Sequence, residues 1–272
     1  MLSTQILTAI ALLAAFGSAL ILLERPQFAL LVAGLVALGA FEWGRLAHFS
    51  PVAAVGYAGS MTLAFGALQW LLESIEIRDT ALAVIFGSAG LLWLAVLPAW
   101  LRAGVGQRPR GLLPTAGFAV LLPAALAMVA LPRTLLLLAL GLVWVSDSAA
   151  YFTGRALGRH KLAPAISPGK TWEGVIGAAL AVAAYAIICA LLVPQLAERV
   201  RGAVWLAYLS GAEVLLLASV LGDLFESALK RQASAKDSGS LLPGHGGVLD
   251  RIDSATAALP IAALLLLWMM RT

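Results

Sequence analysis

Runs of about twenty apolar residues recur along almost the whole chain, and the charges are confined to the short stretches between them. A helix of about 20 residues crosses a hydrocarbon core roughly 30 Å thick. Nine runs are long enough, near residues 4–23, 27–48, 52–72, 80–100, 112–130, 134–151, 173–193, 204–226 and 254–270. A composition of 61% hydrophobic and 12% charged residues, with a mean hydropathy of +0.95, fits a chain whose main solvent is lipid. Backbone in hydrocarbon must satisfy its own N–H and C=O groups, which leaves the helix as the spanning element. The expected fold is an all-α polytopic membrane protein of about nine transmembrane helices. No separate soluble domain of roughly 100 residues fits around them.

Lys and Arg in the connecting loops set the expected orientation. With the N-terminus inside, the inner loops hold 12 of the 18 basic residues, from Arg45 through Arg102, Arg108 and Arg110 to Arg251. The expectation is N-in, C-out with nine spans. The first apolar run has no Lys or Arg before it, unlike a signal peptide, and is read as a retained span. Cys189 is the single cysteine, which excludes an intrachain disulfide and a thiolate metal cluster. Two inner segments, 152–172 and 227–253, are too polar and glycine-rich for lipid and are expected to form one polar site on the cytoplasmic face.

In the second segment Asp223, Glu226, Ser227 and Lys230 are spaced to share one face of a helix. Asp250 and Asp253, three apart, face together where the last span begins. Carboxylates converging from two helix ends suit Mg²⁺, which prefers oxygen ligands and substrate phosphates. Between them lie Lys230, Arg231, Lys236 and Arg251 with Gly239, Gly244, Gly246 and Gly247, a mixture of cations and close-approach backbone suited to a triphosphate. Asp147 interrupts an apolar run, and an ionisable group there reads as functional. Ser167–Thr171 reads as a turn that delivers Ser167, Lys170 and Thr171 to phosphate just before a helix.

The string Ser227, Lys230, Arg231, Lys236, Asp237, Gly239, Pro243, His245, Gly246, Gly247, Asp250, Arg251, Asp253 resembles the signature of the phosphatidate cytidylyltransferase family, the CDP-diacylglycerol synthases. Asp147, Ala150, Tyr151, Gly154 and the stretch ISPGKTWEG resemble that family's preceding cytoplasmic loop, with Gly169 at a position often basic there. The resemblance implies reaction of phosphatidic acid with CTP to give CDP-diacylglycerol and pyrophosphate. It implies Mg²⁺, with a second cation such as K⁺, held by Asp223, Asp250 and Asp253 with Asp147 beside them. The catalytic set is then Asp223, Lys230, Arg231, Lys236, Asp237, His245, Asp250, Arg251 and Asp253. Ser167, Lys170, Thr171, Ser227, Gly246 and Gly247 are the substrate-binding set. Residues 1–140 become a transmembrane scaffold and 141–272 the catalytic region. The implied partners are the two substrates and the bilayer, without nucleic acid; a homodimer is compatible with the sequence.

His245 could act as a general base or phosphate donor, but a lone loop histidine is more often a structural hydrogen-bonder. Glu42 and Trp43, near the inner end of a span, read as interface anchors, and Glu213 as a group at the outer boundary. Gly154 and Gly158 have close-packing spacing but lie past the apolar core. A secondary transporter or channel would use Asp147 and Asp223 along a path, yet the charges gather at one face and no inverted repeat is visible. An alcohol phosphotransferase acting on CDP-lipids would resemble a D-x-x-D-G string, which this chain lacks.

Overall fold

The computed structural model describes residues 14–103, 111–241 and 246–271. Residues 14–22 form α1, followed by α2 (Arg25–Leu46), α3 (Pro51–Ser74), α4 (Arg78–Leu91), a π-helical turn Leu92–Val96, and α5 (Leu97–Arg102). Next come α6 (Leu112–Ala130), α7 (Arg133–Leu157), the strands β1 (Lys161–Ala163) and β2 (Ser167–Thr171), and α8 (Trp172–Leu192). The chain closes with α9 (Pro194–Ala197), α10 (Val204–Gln232) and α11 (Leu249–Arg271).

Among the described residues eight helices are long and apolar enough to cross a membrane, with Arg78–Arg102 acting as one span through its π turn. Of the span expected at 4–23, residues 4–13 lie outside the described residues and 14–22 are helical. Large apolar side chains such as Leu63, Trp70, Leu180, Leu191 and Leu192 are exposed on the outside of the bundle, as a lipid solvent requires. The chain is a multi-pass membrane protein. At its centre is α11, which packs on α10, α6, α4 and α7. Its positions Ala257, Ala258 and Leu259 are almost wholly covered.

Two polar segments are shorter than expected. The helix α7 runs on to Leu157, and α10 runs on to Gln232 while α11 begins at Leu249, so the second loop spans only 233–248. The stretch 167–171 is not a turn. It is the second strand of an antiparallel hairpin, with Lys161 opposite Thr171 and Ala163 opposite Ser167. Pro168 and Gly169 sit in a two-stranded hairpin, where each strand is an edge and tolerates them.

Close backbone approach fixes the helix pairs that carry the polar residues. Gly154 of α7 lies against Thr171 and Gly174 at the start of α8, so the glycine spacing near 154 does mark a packed crossing. Gly222 of α10 lies against α11: an added Cβ would stand 2.5 Å from the Asp253 carbonyl oxygen and 3.2 Å from the Ala257 Cβ. Backbone cannot yield there as a flexible side chain could. Gly222→Ala should therefore destabilise the protein by about 1–3 kcal/mol and shift Asp223 relative to Asp253. Thermal unfolding in detergent, read with activity, checks this.

Candidate active site

Four elements converge at one end of the bundle. Asp147 comes from α7, Lys170 from β2, Asp223 and Ser227 from α10, and Asp253 and Ser254 from the first turns of α11. The Lys170 ammonium is 2.5 Å from Asp223 Oδ2. The Ser227 hydroxyl donates to Asp223 Oδ1 at 3.4 Å, and the Ser254 hydroxyl donates to Asp147 Oδ1 at 3.5 Å. Asp253 Oδ1 accepts the Ser254 N–H at 2.7 Å and lies in the field of Asp223, Asp147 and Lys170. Three carboxylates face one lysine, so the cluster carries an excess of negative charge and favours a cation. Among the described residues no three carboxylate, imidazole or thiolate groups are already closed around one point as a metal cage.

A second cluster lies one turn further along α10. Lys230 is held between Glu226, through an ion pair, and Asp250 Oδ1 at 2.6 Å. Asp250 Oδ2 accepts the Ser238 and Gly247 N–H groups at 2.9 and 2.8 Å, and it lies 2.9 Å from the Ser238 hydroxyl. Both Asp250 oxygens are thus engaged by the protein. The turn that permits this has Gly246 at φ +78°, where a Cβ would also stand 2.6 Å from Asp250 Oδ2.

Sequence spacing placed Asp223, Glu226, Ser227 and Lys230 on one face, and Asp250 beside Asp253. The structure instead divides both groups between the two clusters. Ser167 starts β2, opposite Ala163. Thr171 is buried, and its hydroxyl accepts the Gly174 N–H at 3.1 Å. It serves as the N-cap of α8, so its hydroxyl is occupied by that helix. Arg231 donates from Nε to the Ile166 carbonyl at 3.3 Å, tying α10 to the hairpin. Lys236, Asp237 and Arg251 are exposed on this face. Gly247 is buried against Ser238 and Glu42. His245 lies outside the described residues.

Glu42 and Trp43 depart most from expectation. Neither anchors at an interface; they are 2% and 3% exposed. Glu42 accepts the Val248 N–H on Oε1 at 2.9 Å and the Leu249 N–H on Oε2 at 2.8 Å, with the Ser238 hydroxyl 3.0 Å from Oε2. Trp43 donates from Nε1 to the Leu113 carbonyl at 2.8 Å. Its ring joins Trp93 and Trp100 around Phe225, with centroids 5.5–6.1 Å from the phenyl ring. That aromatic group shields α10 beside Glu226, and the π turn carries Trp93 into it. The available signal for Glu42 was the one that marked Asp147, a carboxylate within an apolar run.

A membrane site rich in carboxylates and lysines fits more than one chemistry, and comparison with known proteins decides between them. The sequence profile described as the cytidylyltransferase family matches residues 3–269. The chain belongs to that family. It is a membrane-embedded nucleotidyltransferase, and the transporter reading falls away. Among similar proteins, the phosphatidate cytidylyltransferase of Pseudomonas aeruginosa is 39% identical over 280 residues, covering 98% of this chain and 97% of that protein. The Haemophilus influenzae protein of the same name is 36% identical, with 96% of each chain covered. The Brucella suis protein of that name is 55% identical over 126 residues, 46% of this chain and 43% of its own. The two polar clusters are therefore those of a cytidylyltransferase-family enzyme.

Proposed function

We propose that this protein transfers CMP from CTP to phosphatidic acid, giving CDP-diacylglycerol and pyrophosphate, at the Asp147, Lys170, Asp223, Asp253 cluster on the cytoplasmic face of the inner membrane. The observation that carries the placement is the convergence of three carboxylates and a lysine at one bundle end, in a chain matched almost end to end by proteins named for this activity. Nucleotidyl transfer consists largely of positioning and charge stabilisation, and this cluster supplies both.

The donor set suits magnesium. It is all oxygen, the ligand type Mg²⁺ prefers alongside waters and substrate phosphates. Asp223 and Asp253 are the residues we assign to hold it, with Asp147 beside them. A second cation such as K⁺ belongs to the same proposal. The metal would draw charge from the phosphate oxygens and hold the triphosphate in register. Asp250 receives a different role, because Lys230 and the loop N–H groups already engage it.

The residues of the chain then divide the work. Lys170 sits against Asp223 and would bring its positive charge to a nucleotide phosphate beside that carboxylate. Lys230, held between Glu226 and Asp250, ties α10 to the start of α11. A phosphatidate oxygen attacks the α-phosphorus of CTP, the new P–O bond forms as the bond to the β-phosphate bridging oxygen breaks, and pyrophosphate leaves with the electron pair. The protein forms no covalent bond to nucleotide. Purified enzyme given CTP, phosphatidate and Mg²⁺ should release one pyrophosphate per CDP-lipid while the protein stays unlabelled by [α-³²P]CTP. Covalent label on the protein that chases into lipid would overturn direct transfer.

A further inference from the structure

We infer that Glu42, on the second helix of the chain, is a positioning residue that latches the active-site loop and the start of α11 in place. It is separated by about two hundred residues of sequence from the groups it holds, as the span from Glu42 to Val248 and Leu249 shows. Its two carboxylate oxygens meet three donors: two N–H groups at the beginning of α11 and the Ser238 hydroxyl of the loop. The N–H groups at a helix start have no partner within the helix, and a carboxylate there satisfies them and favours the positive end of the helix dipole.

The surroundings are shaped to this carboxylate. A Cβ added to Gly239 would stand 2.5 Å from Glu42 Oε1, and one added to Gly247 would stand 2.5 Å from both Glu42 oxygens. Two glycines of the loop therefore leave space for Glu42, in addition to any freedom they give to ligand contact. Ser238 couples the latch to the second cluster. Its one hydroxyl proton lies within reach of Glu42 Oε2 and Asp250 Oδ2 and serves one of them at a time, while its N–H remains on Asp250. Asp250 in turn holds Lys230. Asp253 follows one turn later on the same helix, so the height and rotation of the α11 start set where that carboxylate meets Asp147 and Asp223.

Glu42 does not face the first cluster, and the inference is that it acts through the loop. Its catalytic consequence rests on the reading of the site as a CMP-transfer centre; its structural consequence does not. The experiment compares wild type, Glu42→Gln and Glu42→Ala as full chains in detergent. It reads hydrogen exchange over residues 234–250 against the helices, together with kcat and KM for CTP. Glu42→Gln keeps the shape but turns an NH₂ toward backbone donors. It should raise exchange in 234–250 by roughly tenfold or more while exchange in α7, α8 and α10 stays as in wild type. Glu42→Ala should lower kcat on the order of 100-fold, the scale set by a displacement of about 1 Å at a reacting centre, with Glu42→Gln between it and wild type.

Loop exchange unchanged in both variants would overturn the inference. So would a uniform rise across the bundle in Glu42→Gln, because that would make Glu42 a general packing residue. If wild type transferred no CMP, the proposed activity would fail, while the exchange measurement would still decide the latch.

Discussion

Asp223→Asn is expected to lower kcat for CMP transfer by roughly 10²- to 10³-fold while the protein keeps its detergent monodispersity and helical content. The substitution is nearly isosteric. The Ser227 hydroxyl can still reach the remaining amide oxygen, so packing of α10 on α11 has no reason to change. What is lost is charge. Asp223 is the carboxylate in direct contact with Lys170 and lies within the field of Asp147 and Asp253. Without it, Lys170 loses its fixed partner and the proposed Mg²⁺ would lose an oxygen ligand, so the effect should fall on the chemical step more than on folding. Steady-state rates at saturating CTP and lipid, with Mg²⁺ varied, check this. Glu76→Gln, an exposed change at the far end of the bundle, should leave the rate near wild type. Equal rates in Asp223→Asn and wild type would remove Asp223 from the site.

Lys230→Met should produce the largest loss of stability among the polar residues. The Lys230 side chain is 14% exposed, and its partners Glu226 and Asp250 are each 6% exposed. Removing the cation leaves two covered carboxylates close together with no ammonium between them. Breaking a buried pair from one side typically costs 3–5 kcal/mol, and Met fills much of the volume, so the effect is electrostatic. Asp250 retains its three donors from Ser238 and Gly247, which makes Glu226 the more poorly compensated of the two. Adding Glu226→Gln to Lys230→Met should therefore recover part of the stability. Thermal unfolding in detergent of the single and double variants measures it; additive losses would show that Lys230 and Glu226 are not coupled.

The helical, membrane-spanning character of the chain was legible from its apolar runs, because lipid imposes both the length and the closed hydrogen bonding of each span. Asp147 was legible for the same reason: a carboxylate in an apolar run has few readings. Helical spacing correctly brought Asp223 and Asp253 from two helix ends toward each other. It failed on finer partition. Residues three apart on a helix are neighbours but do not point the same way, and here the offset sends Asp250 to Lys230 and Asp253 to Asp147 and Asp223. Glu42 reads from sequence as an interface anchor, since no local pattern relates it to a loop about two hundred residues away. The hairpin at 161–171 was also hidden, because Pro168-Gly169 carries the chemistry of a turn and the pairing with Lys161–Ala163 is set by tertiary context.

The partition changes what the signature residues are expected to do. Asp250, Gly246, Gly247 and Ser238 build a loop whose shape depends on carboxylates from two helices, and Thr171 closes the start of α8. The groups assigned to ligand under the proposed function are then Asp147, Lys170, Asp223 and Asp253, a smaller set than the signature string.

The most direct test of that site gives the purified protein [α-³²P]CTP, phosphatidate and Mg²⁺ and follows label into the lipid phase, for wild type and Asp253→Asn. Label should enter lipid only when phosphatidate is present and should fall by roughly 10²-fold or more in the variant. Lipid labelling that is absent in wild type, or undiminished in Asp253→Asn, would contradict the account.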